Sequence, residues 1–129
     1  MVRQATGTSR RLILSVFLFF LTGCQSEEER AESFIERGNQ YVEDGKAEEA
    51  IIEFKHVLPI DPENAGAHEA LSLAYLKVEK PREAYWEMSE TVRLDPQNVQ
   101  ARLRYGTVSA AIGDSDLALE QAESVLQID

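Results

Sequence analysis

Cysteine is almost missing from this chain: Cys24 is the only one in 129 residues. No intrachain disulfide framework can form, and a cysteine-rich zinc site is excluded. The two histidines, His56 and His68, could not build a metal site without carboxylate help. Glycine (7) and proline (4) are sparse and aromatics make up only 8% of the residues, which disfavours a turn-rich β-sandwich. Positive charge is short as well, with 13 Lys and Arg against 23 Asp and Glu. Arg3, Arg10 and Arg11 are the only ionised residues before Glu27, so the remainder is more acidic than the formal net charge of −10 suggests. A nucleic-acid partner is not expected, because phosphate neutralisation needs clustered Lys and Arg. The main apolar run, Leu12–Leu21, is far below the length of a comfortable membrane span. A hydrophobic content of 43% is nevertheless too high for wholesale disorder.

The N-terminal region is present for another purpose. Met1–Arg11 is short and positive, and LILSVFLFFL follows at 12–21. As a helix this run would cover about 15 Å, roughly half the hydrocarbon core, which fits a signal-peptide h-region. An uncleaved anchor helix with an incidental cysteine is the competing reading, and the short run argues against it. Next come Leu21-Thr22-Gly23-Cys24. This segment resembles the lipobox of bacterial lipoproteins: an aliphatic residue, two small ones and a cysteine. The resemblance implies that 1–23 is a lipoprotein signal peptide cut before Cys24, whose thiol receives a diacylglyceryl group and whose new amino group is acylated, with palmitate among the expected chains. Two or three acyl chains give stable anchoring where one gives marginal binding. Gln25 stands where an Asp would favour the inner membrane under the enterobacterial sorting rule. The resemblance therefore implies a lipid-anchored envelope protein, on the periplasmic face of the outer membrane rather than the inner. Residues 24–30 would be the lipidated cysteine and an acidic tether; Gln25–Arg30 reaches at most about 20 Å.

The remainder repeats with a period of 34. Pro62 aligns with Pro96, Asn64 with Asn98, and Tyr41 with Tyr75; Ala50, Ala84 and Ala118 align, as do Gly38, Ser72 and Gly106, and Asp61, Asp95 and Asp129. Such a period is the signature of a repeat architecture. Phe34, Tyr41 and Val42, and then Ala50, Ile51, Phe54, Val57 and Leu58, fall on helical spacings with one apolar face. Asp44-Gly45, Lys80-Pro81 and Gly113-Asp114 break the helices. The spacing predicts helices over 31–43, 47–58, 65–77, 81–94, 99–112 and 115–127.

This pattern resembles the tetratricopeptide repeat, an antiparallel helix pair. The resemblance implies an all-α solenoid of about three repeats: 31–64, 65–98 and a shortened 99–129. Small residues at the eighth and twentieth positions mark where paired helices approach most closely, so that Gly38 is expected to face Ala50. A large apolar residue is expected at the fourth position; Phe34 complies, whereas His68 and Arg102 do not. Helix 115–127 keeps an apolar set rather than a polar cap, so the array is expected to continue past Asp129.

No catalytic set stands out. His68-Glu69 lacks the second histidine of a zinc-protease helix, and no nucleophile motif surrounds Ser or Asp. An enzymatic role, a metal, a cofactor and a small-molecule substrate are not expected. In the repeat family the concave groove is lined by first helices, which implies Ile35, Asn39, Val42, Glu69, Leu73, Leu76, Lys77, Leu103, Thr107 and Ala110 here. The partner-binding candidates are Asn39, Leu73, Leu76, Lys77, Leu103 and Thr107. Some such domains clamp a terminal carboxylate with Lys, Asn and Arg. Asn39 and Arg104 match that set, while Ile35, Ala70 and Gln100 depart, so an extended or helical segment with apolar anchors is expected instead. Trp86, beside Tyr85, falls at a position usually left exposed; it reads either as a binding anchor or as packing onto a neighbouring helix edge. The expected function is a membrane-anchored protein-interaction scaffold in envelope assembly, such as pilus biogenesis, outer-membrane assembly or exopolysaccharide and surface-protein export. The alternative is the docking arm of a larger envelope enzyme.

Overall fold

The computed structural model describes residues 26–128, so the segment read as a signal peptide and Cys24 lie outside the described residues. Six helices follow one another: α1 (Glu27–Glu43), α2 (Ala47–Val57), α3 (Ala65–Lys77), α4 (Pro81–Leu94), α5 (Val99–Ala111) and α6 (Ser115–Val125). Among the described residues there is no strand, and no helix is long and apolar enough to cross a membrane. Each helix packs mainly on the one before it and the one after it in the chain. The architecture is all-α, three helix pairs stacked in succession, as the 34-residue period implies.

The helix ends follow from local chemistry. Asn64 and Asn98, one period apart, cap α3 and α5 by accepting from the amides of Ala67 (2.9 Å) and Ala101 (3.0 Å). Asp114 accepts from Leu117 N at 3.1 Å and caps α6, and Pro81 opens α4 at a position where its missing N–H costs nothing. α1 starts four residues earlier than its apolar spacing indicates. Ser26 and Glu29 form a reciprocal capping box, with Ser26 N donating to Glu29 Oε2 at 2.9 Å and Glu29 N to Ser26 Oγ at 3.1 Å. Residues 27–30 are therefore a helical turn, not an extended stretch of the acidic tether, and the glutamates of that turn sit where the helix dipole favours negative charge.

Three clusters form the core: Ala31, Val57 and Ala67; Ala50, Phe54 and Leu71; and Met88, Val92, Ala101 and Tyr105. The paired helices meet where the small residues lie, but differently in each repeat. Ser72 Oγ donates to Ala84 O at 2.8 Å across the α3/α4 contact, and a Cβ on Gly106 would lie 3.3 Å from Ala118 O. At Gly38 the close neighbour is the Phe54 ring rather than Ala50, and a Cβ there would sit 2.4 Å from it.

The two polar residues at the fourth repeat position turn out to be a periodic clamp. His68 is 8% exposed, with Nδ1 2.7 Å from Glu87 Oε2 and Nε2 3.1 Å from Pro62 O. One period later, Arg102 Nε donates to Pro96 O at 2.7 Å and Nη1 to Gln121 Oε1 at 3.0 Å. Each clamp ties the proline turn of one repeat to the next helix pair. Hydrogen bonds thereby replace the apolar contact that Phe34 makes in the first repeat.

The turns within repeats need a left-handed residue at the fifteenth position. Gly45 (φ 72°) and Gly113 (φ 89°) supply it freely, whereas Glu79 adopts φ 57°. A Cβ-bearing residue pays about 1–2 kcal/mol for that conformation. Glu79→Gly is therefore expected to stabilise the fold by about 1 kcal/mol, once the larger unfolded-state entropy of glycine is offset, read as a higher urea midpoint at unchanged slope. A lower midpoint would show that the Glu79 side chain contributes contacts outweighing the strain.

Candidate protein-binding groove

The chain order places α1, α3 and α5 on one side of the solenoid and α2, α4 and α6 on the other. The first-helix side leaves apolar side chains uncovered. Val42 is 48% exposed, Leu76 36% and Leu103 43%, although each lies on a helix whose opposite face is core. A cavity of about 760 Å³ opens at the C-terminal ends of α1 and α3. Val42, Leu73, Ala74, Leu76 and Val78 give it apolar walls, Gly45, Ala47 and Glu48 close one edge, and Lys77 supplies a cation. Such concavity with few polar groups is the ordinary form of a recognition site.

The structure brings together three of the six candidate residues, Leu73, Leu76 and Lys77, and joins Val42 to them. Leu73 has a second task, because it packs against the Met88, Val92, Ala101 and Tyr105 cluster. It is half core and half groove, not a residue that packing can spare. Asn39, Leu103 and Thr107 are exposed on the same side but do not line this cavity. The Thr107 hydroxyl donates to Leu103 O at 2.9 Å within its own helix, so its donor is already engaged.

Sequence reasoning missed the turn residues that finish the cavity, Gly45, Ala47, Glu48 and Val78. The repeat register offers one signal for them, since the glycine turn returns the chain to the edge of the first helices. It also missed that Arg104 Nη1 pairs with Glu69 Oε1, a link that crosses from α5 to α3 along the groove side. Arg104 therefore has an internal anion, and with Ile35, Ala70 and Gln100 in place the residues for clamping a terminal carboxylate are not assembled.

On the other side, Trp86 is 68% exposed. Its ring stands edge-on to Tyr85, with centroids 5.3 Å apart and planes at 83°, and Tyr85 in turn lies 5.2 Å from Tyr105. Burial, and then the neighbouring Tyr85 hydroxyl, raise the Tyr105 phenol above its ordinary value, so it stays neutral under physiological conditions. No group of His, Cys, Asp and Glu among the described residues could hold a metal ion.

Comparison with known proteins agrees with this geometry. Residues 38–78 match the family described as TPR repeat. The type IV pilus assembly protein PilF of Pseudomonas aeruginosa is 26% identical over 111 residues, covering 77% of this chain and 44% of that protein. The chain spans less than half the length of the curated relatives it matches. Among solved structures, the second TPR of Spaghetti (RPAP3), bound to the HSP90 peptide SRMEEVD, superposes with a TM-score of 0.72 at 31% identity, covering 78% of this chain and 94% of that one. The second TPR domain of human RPAP3, in complex with an HSP70 peptide, gives 0.74 at 30% identity over 81% of this chain and 87% of its own. The repeats are thus found three ways, in the 34-residue period, in the helix pairs and in the relatives, and the described part of this chain is a tetratricopeptide-repeat solenoid.

Proposed function

We propose that this chain is an envelope-anchored scaffold that holds an extended or helical segment of a partner protein in the groove on its first helices. The observation that carries the reading is the cavity of about 760 Å³ in which Val42, Leu73, Leu76 and Lys77 converge. Protein-protein interaction is what such a solenoid does. Its walls call for apolar anchors on the partner, and Lys77 and Glu48 offer one charge of each sign at the rim. A peptide ending in a carboxylate, as in the two RPAP3 complexes, is not the ligand we propose, because Arg104 is paired with Glu69 and the other clamp positions are Ile35, Ala70 and Gln100.

The envelope part of the proposal rests on Leu21-Thr22-Gly23-Cys24 and the short apolar run before it, with support from the resemblance to a pilus assembly protein. Acylation at Cys24 would hold the solenoid at the periplasmic face of the outer membrane. Mass spectrometry of the mature amino terminus tests this directly. An acylated Cys24 is expected, with the protein in the membrane fraction, and Cys24→Ser should leave an unlipidated precursor. A mature terminus at unmodified Gln25, or an intact Met1, would remove the anchoring from the proposal and leave the scaffold.

A further inference from the structure

The groove does not account for Trp86. A single exposed aromatic side chain needs no explanation, but three features set this one apart. First, it borders a cleft of about 360 Å³ formed with Arg82, Tyr85, Ile112 and Asp114. Second, its ring stands edge-on to Tyr85, which packs against Tyr105 and the core cluster, so one edge of the indole already rests on an anchored ring. A ring supported in this way gives up less conformational entropy on binding, which is what an interface anchor requires. Third, Ile52, one repeat period earlier on α2, is also 56% exposed, so the second-helix side carries an apolar residue at the same position in two consecutive repeats.

Charge selects the partner. Among the described residues, Glu49, Glu83, Asp116, Glu120 and Glu123 on the second helices take part in no ion pair, against Lys55 and Arg82 as the corresponding cations. Asp114, at the cleft edge, spends only Oδ1 on the α6 cap, and its other oxygen remains available. A second copy of this chain would bring acidic surface against acidic surface, at a net charge of −10 each. An anionic lipid surface meets the same repulsion.

We propose that the Trp86 cleft is a second docking site, separate from the groove, which takes a cationic segment of a partner protein with an apolar side chain laid against the indole. Lysine or arginine residues on that segment face Asp114 at the cleft edge and the unpaired Glu83 and Asp116, each within two residues of the cleft lining. The site goes beyond the groove reading and does not depend on it.

Trp86 is the only tryptophan in the chain, so its fluorescence reports on this cleft alone. The probe is an 18-residue amphipathic peptide with leucine on one face and lysine on the other, added to the purified full chain at physiological salt. A blue shift of Trp86 emission and protection from acrylamide are expected. Peptides with lysine changed to glutamate, or leucine changed to serine, should bind at least tenfold more weakly. With labelled peptide, Ile52→Ser combined with Trp86→Ala should weaken binding at least tenfold at an unchanged melting temperature. The Trp86 emission shift, rather than total peptide binding, is the deciding readout, because the groove around Leu73 and Leu76 lies on the other side and cannot produce it. Unchanged Trp86 emission, or equal binding of the serine peptide, would overturn the proposal. So would a blue shift produced by anionic vesicles or by self-association without peptide.

Discussion

Phe54→Ala is expected to cost about 3–5 kcal/mol, the largest loss of any single truncation in this solenoid. Phe54 is fully buried, and its ring fills the space between Gly38 of α1 and the Ala50 and Leu71 cluster, with Tyr41, Ile51 and Tyr75 around it. Removing it opens a void that helices fixed by other clusters can only partly close. The same contact has a converse. Gly38→Ala places a methyl 2.4 Å from a ring that has nowhere to go, and should cost about 1–3 kcal/mol. Gly106→Ala is the control. Its methyl would meet Ala118 O at 3.3 Å and Gln121 Cβ at 3.4 Å, and the helix-propensity gain of about 0.5–1 kcal/mol offsets that crowding. Urea melts followed by circular dichroism separate the three. Equal losses at Gly38 and Gly106 would contradict the ring-over-glycine packing.

Leu76→Glu together with Leu103→Glu is expected to abolish partner capture while preserving the helices. Both side chains are more than a third exposed, so neither is needed for the core, and glutamate is a good helix former. A carboxylate in the apolar wall must be desolvated for the partner's anchor to seat, which costs more than one interface contact returns. Leu73→Glu belongs to a different class. It puts a charge against Met88 and Tyr105 and should lower stability along with binding. Capture from solubilised envelope extracts, with dichroism on the same samples, distinguishes these outcomes. If the Leu76 and Leu103 variant still captures its partner, the groove is not the site.

Much of this fold is legible in the chain because its signals are local and repeated. A 34-residue period, apolar faces at helical spacing and breakers at Gly45, Pro81 and Gly113 place every helix to within a few residues. What escapes such reading depends on partners distant in sequence or on a conformation without its usual residue. Ser26 and Glu29 are spaced for a capping box, yet an acidic run reads as a solvated leader until the reciprocal hydrogen bonds are seen. His68 and Arg102 break the apolar rule of their position because each finds a carbonyl six residues back and an acceptor nineteen residues on. Glu79 holds a glycine's conformation with nothing in its type to announce it. Within the groove, Leu76 and Lys77 are legible from register alone, whereas the dual role of Leu73 depends on the neighbouring repeat, and the closing edge depends on the turn after α1.

The packing of each helix on its chain neighbours also bears on time. Among the described residues the main helix contacts are between chain neighbours, so little loop-closure entropy stands before the first stable unit. Such a chain can begin to order from any helix pair and extend by docking the next, and the α1/α2 pair can form while later residues are still being synthesised. The same linearity governs the reverse path. Opening of one helix pair need not undo the others, and the Pro62 and Pro96 turns, each held by a side chain of the following repeat, are the points where its spread must break a hydrogen bond before it proceeds.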